Sequence, residues 1–316
     1  MNQNKLRVFS GRANRPLAER IARCLGDRLG NLKVESFPDT ETSVRIEEDV
    51  RGRDVFIVQP TCPPVNENLL ELLVILDAFK RASPFRVTVV LPYYGYARQD
   101  RKEQGRVPIS AKLVANLLTA AGANRVLTLD LHAAQIQGFF DIPVDHLMVA
   151  PVFINHLREI GVAMNDVVFL SPDEGRVKMT LHYQSRLGGE LAIVDKRRSS
   201  ATKTDQANLI GASLKGKVAI MFDDMISTGG SIVGAANIAQ ANGAKDIFVF
   251  ATHGVLCGPA IERLRDAPIK QLIITDSIPL TPEKELEKIR VLSVDHLLAD
   301  AVKRIHENAS VSELFR

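Results

Sequence analysis

The chain uses one α/β module twice. Residues 115–132 align with residues 236–253 without a gap, and each copy reads as a helix, a Gly-Ala stop and an apolar strand. The strands that precede the two helices also correspond, since residues 87–91 match residues 218–222. Alternating strands and helices predict parallel sheets with right-handed crossovers. The repetition therefore predicts two successive domains of one α/β fold, each with a mainly parallel sheet flanked by helices.

The two expected domains cover residues 1–147 and 148–316, and a chain of 316 residues is long enough for both. A hydrophobic content of 46% is typical of a soluble globular protein, and the net charge of +3 is too small to indicate a nucleic-acid partner. No apolar stretch is typical of a signal peptide or a membrane span. The three cysteines are widely spaced without a metal-ligand pattern, so we expect reduced thiols in a cytoplasmic protein.

The segment from residue 218 to residue 231 reads VAIMFDDMISTGGS and predicts a sugar-phosphate site. Its apolar residues 218–222 predict a buried strand, which Asp223 and Asp224 follow at the carboxyl end, where open α/β sheets bind ligands. Carboxylates accept hydrogen bonds from sugar hydroxyls or bind Mg²⁺, whereas a hydroxyl- and glycine-rich turn before a helix binds a phosphate. The residues of this turn are Ser227, Thr228, Gly229, Gly230 and Ser231.

The first copy of the module lacks the acid pair, because Pro92 and Tyr93 occupy the corresponding positions. A longer loop, residues 93–106, follows instead and holds three of the four tyrosines of the chain beside several basic residues, including Arg98. Aromatic faces near cations suit an adenine and a polyphosphate. A solvated basic loop with tyrosines packed on its edge is the alternative interpretation.

Three further groups lie at the ends of expected strands. The basic run at residues 195–198 contains Lys196 and Arg198 and predicts the cationic root of a closing flap, or else a solvated loop. His132 and Asp173 each end a strand, so both are candidates for a metal–phosphate complex. A lone histidine at a strand end is otherwise a hydrogen-bonded structural residue.

Along nearly its whole length the chain resembles the class I ribose-phosphate pyrophosphokinases, or phosphoribosyl pyrophosphate (PRPP) synthetases. The runs YGYARQD and HAAQIQGFF are specific to that family, whereas phosphoribosyltransferases share only the turn at residues 223–231. The other matching motifs are residues 37–41, 50–54, 171–173, 195–198 and 310–315.

The resemblance implies two type I phosphoribosyltransferase-like domains and a defined reaction. The β,γ-diphosphoryl group of MgATP is transferred to the C1 hydroxyl of ribose 5-phosphate, giving PRPP and AMP for nucleotide biosynthesis. By the same resemblance Asp223 and Asp224 bind the ribose, and the turn from Ser227 to Ser231 binds its 5-phosphate. The resemblance also implies that Arg98 and Gln99 bind ATP and that His132 and Asp173 are metal-site residues at the Mg²⁺–ATP complex. It implies catalysis by Lys196 and Arg198.

Two implied features involve other subunits or effectors. Phe37, Asp39 and Glu41 would cover the adenine of a neighbouring subunit, so the resemblance implies a homo-oligomer, commonly a hexamer built from dimers. The tail residues Ser310, Ser312 and Phe315 match a segment that helps to form an allosteric phosphate site in the family.

Several residues depart from the family pattern. Ser227 replaces an aspartate, Arg176 replaces the second of two glycines after the Ser-Pro-Asp motif, and Met179 stands near a usual arginine. Thr40 replaces a glycine of the adenine hood, and residues 199–206 differ from the usual flap. These departures cluster on the sugar and flap side of the expected site, so changed activity or regulation is one interpretation.

Two alternative functions follow. A PRPP-consuming phosphoribosyltransferase would need no ATP site, and it leaves the pair Arg98 and Gln99 unexplained. A non-catalytic regulatory homologue is suggested by the departures at Arg176 and Ser227, but the retention of Lys196 argues against it.

Overall fold

The computed structural model describes residues 5–195 and 208–315. The chain folds into two compact units, each with its own hydrophobic core. The first unit consists of Met1–Val149, Ser277–Pro279 and Ser293–Arg316, and the second of Ala150–Asp276 and Leu280–Leu292. The last 24 residues thus group with the first unit.

The described part of the first unit is built on a five-stranded parallel sheet of order β1-β4-β5-β6-β7, with a separate antiparallel hairpin of β2 and β3. Its central strands are rich in valine and buried on both faces, as a parallel sheet covered by helices requires. The strands are β1 (Leu6–Ser10), β2 (Leu32–Ser36), β3 (Thr42–Ile46), β4 (Asp54–Val58), β5 (Arg86–Leu91), β6 (Arg125–Leu129) and β7 (Val144–Leu147). Its helices include α1 (Arg15–Cys24), α2 (Val65–Ala82) and α3 (Ser110–Ala121).

The described part of the second unit contains a seven-stranded sheet of order β10-β9-β8-β11-β12-β13-β14, in which only β10 is antiparallel to its neighbour. The strands are β8 (Val167–Ser171), β9 (Glu190–Asp195), β10 (Asn208–Gly211), β11 (Val218–Ile226), β12 (Asp246–Gly254), β13 (Gln271–Thr275) and β14 (Ile289–Leu292). The helices are α4 (Ala150–Ile160), α5 (Val177–Leu187), α6 (Gly230–Ala241) and α7 (Ala260–Asp266).

The predicted α/β fold with mainly parallel, helix-flanked sheets is confirmed. The two copies of the module form α3 with β6 in the first unit and α6 with β12 in the second. One boundary differs from the prediction: β11 continues to Ile226, so Asp223 and Asp224 lie inside the strand and not after it. The cause is the pairing of β11 with β12, in which Asp223 faces Ala251 and Met225 faces His253.

Aromatic stacking holds β11 in the second core immediately before the acid pair. The ring of Phe222 lies parallel to that of Tyr183 on α5, with 3.6 Å between the ring centroids, and 5.2 Å from the ring centroid of Phe250 on β12. Buried ring pairs of this kind add to the stability that area burial provides. The backbone that carries the acids is therefore well anchored.

The last helix, α8 (Asp295–His306), belongs to the first unit and packs against α1. A buried carboxylate fastens its end, because Asp54 on β4 contacts both Arg86 Nη2, at 2.5 Å, and His306 Nδ1, at 2.9 Å. Arg86 also donates to the carbonyl oxygen of Ile305 at 3.1 Å. Within the described ranges, no helix combines the length and apolar character that crossing a membrane requires.

Candidate active site

The acid pair of β11 is buried and engaged by one arginine. Arg176 Nε lies 2.7 Å from Asp223 Oδ1, and its Nη2 lies 2.5 Å from Asp224 Oδ1. The side chains of Asp223 and Asp224 are 10% and 2% exposed, and that of Arg176 is 19% exposed. A guanidinium that spans two buried carboxylates partly neutralises them where water is largely excluded. Arg176 therefore occupies the face of the acid pair that was predicted to bind a sugar.

Asp173 positions this arginine. It caps the short 3-10 turn Glu174–Arg176 that follows β8, and its Oδ1 accepts the backbone N–H of Arg176 at 3.1 Å. The hydroxyl of Ser171 donates to the carbonyl oxygen of Asp173 at 2.7 Å, which fixes the start of the turn. The second unit thus brings together Asp173, Asp223 and Asp224 through Arg176. The sequence marks Arg176 as a departure from the family but contains no signal for its partners.

Burial raises the pKa of Asp223 to about 8. The side-chain hydrogen bond with Asp224 and the negative charge of Asp224 add to this rise. The Arg176 charge opposes the increase, but a single cation does not offset the desolvation of two adjacent carboxylates. The acid pair therefore keeps a proton near neutral pH in the absence of ligands.

This raised pKa predicts a pH dependence of stability. The unfolded chain releases the Asp223 proton near the ordinary pKa of 3.8, whereas the folded chain holds it until about pH 8. Stability from this group is thus fully present below pH 3.8 and is lost progressively as the pH rises towards about 8. Chemical unfolding of the wild type and of Asp223→Asn at several pH values checks the prediction, because the variant should lack this component. Equal pH profiles for the two proteins would contradict it.

The turn after β11 has the geometry of an anion site. Gly229 caps α6 in the left-handed conformation at φ 75°, which glycine adopts without strain. Thr228, Gly230 and Ser231 lie at the N-terminus of the 12-residue α6, where the first N–H groups of a helix attract anions. Arg263, which no sequence motif indicates, donates to the carbonyl oxygen of Thr228 at 3.1 Å and adds a cation beside the turn.

Ser227, at the position where the family usually has aspartate, is tied to its surroundings. Its Oγ lies 3.2 Å from Cys257 Sγ, and its carbonyl oxygen accepts the backbone N–H of Cys257 at 2.9 Å. The hydroxyl therefore faces a thiol and carries no charge into the turn.

The loop after β5 in the first unit divides into a buried and an exposed part. Tyr93 and Tyr94 are buried, and the Tyr94 hydroxyl donates to the carbonyl oxygen of Ala111 at 2.8 Å. Burial raises the pKa of Tyr94. These two rings belong to the core and offer no open face to an adenine, whereas the nearby Arg98 and Gln99 are exposed.

Gln99 joins this loop to the start of α3. Its Oε1 accepts the Ser110 hydroxyl at 2.5 Å, and its carbonyl oxygen accepts the backbone N–H of Ala111 at 3.1 Å. Arg98 immediately precedes Gln99 and is exposed. Its guanidinium therefore extends from a backbone segment that the hydrogen bonds of Gln99 hold in place.

His132 is half-buried in a tight turn after β6. The turn is held from β7: His146 Nε2 accepts the backbone N–H of Leu131 at 2.8 Å. Burial lowers the pKa of His146 to about 4, so this ring stays neutral and keeps its acceptor nitrogen at physiological pH. Asp130, with φ 29°, starts the turn and accepts the backbone N–H of Val149 at 3.2 Å. No sequence pattern indicates that His146 positions this segment.

The hairpin tip between β2 and β3 carries the residues expected to cover an adenine. Phe37, Asp39 and Glu41 are all exposed, and the Phe37 side chain stands out with 52% exposure. The tip is shaped by hydrogen bonds of the Phe37 N–H to the Glu41 carbonyl oxygen at 2.8 Å and of the Glu41 N–H to Asp39 Oδ1 at 3.1 Å. Thr40 takes a left-handed conformation there, at φ 74°.

The remaining predicted residues lie at the end of the chain or outside the described ranges. Ser310 Oγ and Ser312 Oγ are 3.0 Å apart, and Arg304 donates to the Ser310 carbonyl oxygen at 2.8 Å. Phe315 ends the short 3-10 turn Val311–Phe315, which also contains Ser312. Lys196 and Arg198 lie outside the described residues.

Proteins of one family are similar to this chain along nearly its whole length. Residues 6–122 match the family model of the N-terminal domain of ribose phosphate pyrophosphokinase, and residues 182–316 match that of the phosphoribosyl synthetase-associated domain. The chain is 60% identical over 312 residues to a ribose-phosphate pyrophosphokinase of Rhodopirellula baltica, covering 99% of both chains. It is 54% identical to that of Thermotoga maritima, again with 99% coverage of both. The crystal structure of phosphoribosylpyrophosphate synthetase from Mycobacterium smegmatis superimposes with a TM-score of 0.91 at 42% identity, over 97% of this chain and 100% of that one.

Proposed function

This chain belongs to the ribose-phosphate pyrophosphokinase family, and we propose how its residues divide the work of that reaction. Its activity is that of a ribose-phosphate diphosphokinase: it transfers the diphosphoryl group of ATP to the C1 hydroxyl of ribose 5-phosphate and yields PRPP and AMP. The single observation that supports the sugar-phosphate assignment is the continuity of β11 and α6, which puts the acid pair and the phosphate-type turn on one connection.

Ribose 5-phosphate is proposed to bind across this connection. Its 5-phosphate would accept hydrogen bonds from the backbone N–H groups of the turn Ser227–Ser231, with the cation of Arg263 nearby. Its hydroxyl groups would donate to Asp223 and Asp224. Since Arg176 holds both carboxylates without ligand, we infer that the sugar competes with the guanidinium for the acid pair.

The nucleotide is assigned to other residues by the resemblance. Arg98 and Gln99 are proposed to bind ATP, and the exposed loop with an anchored Gln99 supports that role. Phe37, Asp39 and Glu41 are proposed to cover the adenine of a neighbouring subunit. An exposed phenylalanine on a well-formed hairpin tip suits contact with an aromatic base of another subunit.

Magnesium is proposed as the cofactor, with Asp173 and His132 serving the Mg²⁺–ATP complex. Mg²⁺ prefers carboxylate and phosphate oxygens and water. Asp173 fits because a carboxylate can accept several hydrogen bonds or bind an ion: its Oδ1 accepts the backbone N–H of Arg176, and the group can still offer lone pairs to Mg²⁺. His132 fits as a half-buried imidazole on a turn that the neutral His146 holds. When bound, the ion neutralises charge that develops on the phosphate oxygens.

Lys196 and Arg198 are proposed as the catalytic cations. They follow β9, the strand next to β8, whose carboxyl end carries the turn of Asp173 and Arg176. Two cations at the transferring group would stabilise charge on its oxygens, and catalysis is assigned to in-line positioning and neutralisation of this kind.

We also propose a homo-oligomer, a hexamer built from dimers, because the adenine-covering role of Phe37 requires a second subunit. Ser310, Ser312 and Phe315 are proposed to contribute to an allosteric phosphate site, for which the paired hydroxyls of the two serines beside Arg304 give support. In the described part of the chain Cys24, Cys62 and Cys257 form no disulfide, and we propose a reducing, cytoplasmic location.

One set of incubations separates the proposed activity from its alternatives. The purified chain with Mg²⁺, ATP and ribose 5-phosphate should form AMP, measured by ion-exchange chromatography, and omission of the sugar should abolish it. A phosphoribosyltransferase would instead consume PRPP in the presence of a nucleobase. A regulatory homologue would form no sugar-dependent AMP even at high protein concentration, and that result would overturn the activity.

A further inference from the structure

Three potential metal ligands meet where α1 ends and α8 begins, within the first unit and apart from the residues discussed above. The ligand atoms of Cys24, Asp295 and His296 all lie within 4.8 Å of one another. Cys24 is the last residue of α1, and the other two open α8, so helix packing brings together residues that are 272 positions apart. The spacing of the cysteines in the sequence shows no metal-ligand pattern, because the partners of Cys24 in this cluster are brought to it only by folding.

The distances suit a tetrahedral ion. Cys24 Sγ lies 3.6 Å from His296 Nδ1. Zinc bonds of about 2.3 Å to sulfur and about 2.0–2.1 Å to nitrogen, at tetrahedral angles, hold the two ligand atoms about 3.5 Å apart. This pair therefore needs almost no rearrangement. The ligand oxygen of Asp295 lies within 4.8 Å of both atoms, so it needs a movement of at most on the order of 1 Å to complete the three-ligand set.

Asp295 is the best-held member of the cluster. Its side chain is 13% exposed, and its Oδ1 accepts the backbone N–H of His296 at 2.7 Å. Its Oδ2 lies 3.5 Å from Arg20 Nε, a long contact that orients the carboxylate without a strong hydrogen bond. Outer partners of this type commonly orient metal-binding carboxylates. Cys24 and His296 are exposed, so an ion in solution has direct access to them.

We propose that Cys24, Asp295 and His296 bind a thiophilic divalent cation of the Zn²⁺ type, with water as the fourth ligand. A thiolate and an imidazole select such an ion over Mg²⁺, which prefers oxygen ligands. The site is separate from the proposed Mg²⁺–ATP residues. Because its ligands come from two helices, the bound ion ties the C-terminal helix α8 to α1.

Cobalt provides the direct test, because a thiolate bound to Co²⁺ produces a charge-transfer absorption band in the near ultraviolet. The full-length chain, freed of metal by a chelator and reduced, should develop this band on addition of Co²⁺ and lose it when Zn²⁺ is added. A large excess of Mg²⁺ should leave the band in place. Cys24→Ser should abolish the band, and His296→Ala should weaken Co²⁺ binding at least about tenfold.

The matched control is Glu307→Gln, which removes an exposed carboxylate at the opposite end of the same helix without removing a proposed ligand. It should bind Co²⁺ as the wild type does. Zn²⁺ should also raise the unfolding temperature of the wild type and of this control but not that of Cys24→Ser. Absence of the band in the wild type would overturn the proposal, as would an unchanged band in Cys24→Ser, which would assign binding to another cysteine.

Discussion

Replacing Arg176 by methionine should lower the free energy of unfolding of the ligand-free chain by about 3–5 kcal/mol. The substitution keeps most of the side-chain volume but leaves Asp223 and Asp224 as adjacent buried carboxylates without this cation. Breaking a buried ion pair from one side is costly because the remaining charge stays desolvated. Chemical unfolding at pH 7, followed by far-ultraviolet circular dichroism and by intrinsic tyrosine fluorescence, measures the change.

Two controls test the cause of this loss. Arg176→Lys keeps the charge but lacks the planar fork that reaches both acids, so it should lose less than the methionine variant. Arg158→Ala removes an exposed arginine on α4 and should change stability by less than about 0.5 kcal/mol. A methionine variant as stable as the wild type would show that the arginine does not stabilise the acid pair.

The same variant tests the competition between Arg176 and the sugar. If ribose hydroxyls replace the guanidinium, then Arg176→Met should need less ribose 5-phosphate for half-maximal rate, whereas its ATP requirement should change little. An increased requirement for ribose 5-phosphate would mean that the arginine helps to bind the sugar phosphate rather than competing with it.

Lys196→Ala should reduce turnover about a hundredfold to a thousandfold. A cation that meets charge developing on the transferring group acts mainly in the transition state, so its loss should leave ATP binding within about threefold of the wild type. Steady-state AMP formation gives the turnover, and equilibrium binding of a non-hydrolysable ATP analogue gives the affinity.

Arg197→Ala is the neighbouring control, because residue 197 stands between the two proposed catalytic cations and carries no proposed role. It should keep turnover within about tenfold of the wild type. Unchanged turnover in Lys196→Ala, or a loss confined to ATP affinity, would remove this lysine from the catalytic step.

The fold was predictable because it rests on local and repeated patterns. Apolar strands, a Gly-Ala stop and an ungapped internal repeat identify two α/β modules without any long-range contact. The end of β11 was less predictable, since an acid pair usually marks the end of a strand. Pairing with β12 carries Asp223 and Asp224 into the sheet, where Arg176 partly compensates their burial.

The candidate site could be predicted from the sequence only where its residues form a contiguous motif. The turn Ser227–Ser231 could be identified from its order of hydroxyls and glycines, whereas Arg263 reaches it from α7 by tertiary folding. His146 holds the His132 turn from the adjacent strand, and no local pattern distinguishes it from other histidines. Composition suggested that the tyrosines near Arg98 form a nucleotide surface, but Tyr94 fills the core.

The most direct test of the function is ³¹P nuclear magnetic resonance of a reaction that contains the chain, MgATP and ribose 5-phosphate. We expect the signals of a diphosphate attached to C1 of ribose 5-phosphate to grow together with that of AMP, in equal amounts. Formation of ADP and orthophosphate, or ATP signals that stay unchanged in the presence of the sugar, would contradict the transfer of a diphosphoryl group by this chain.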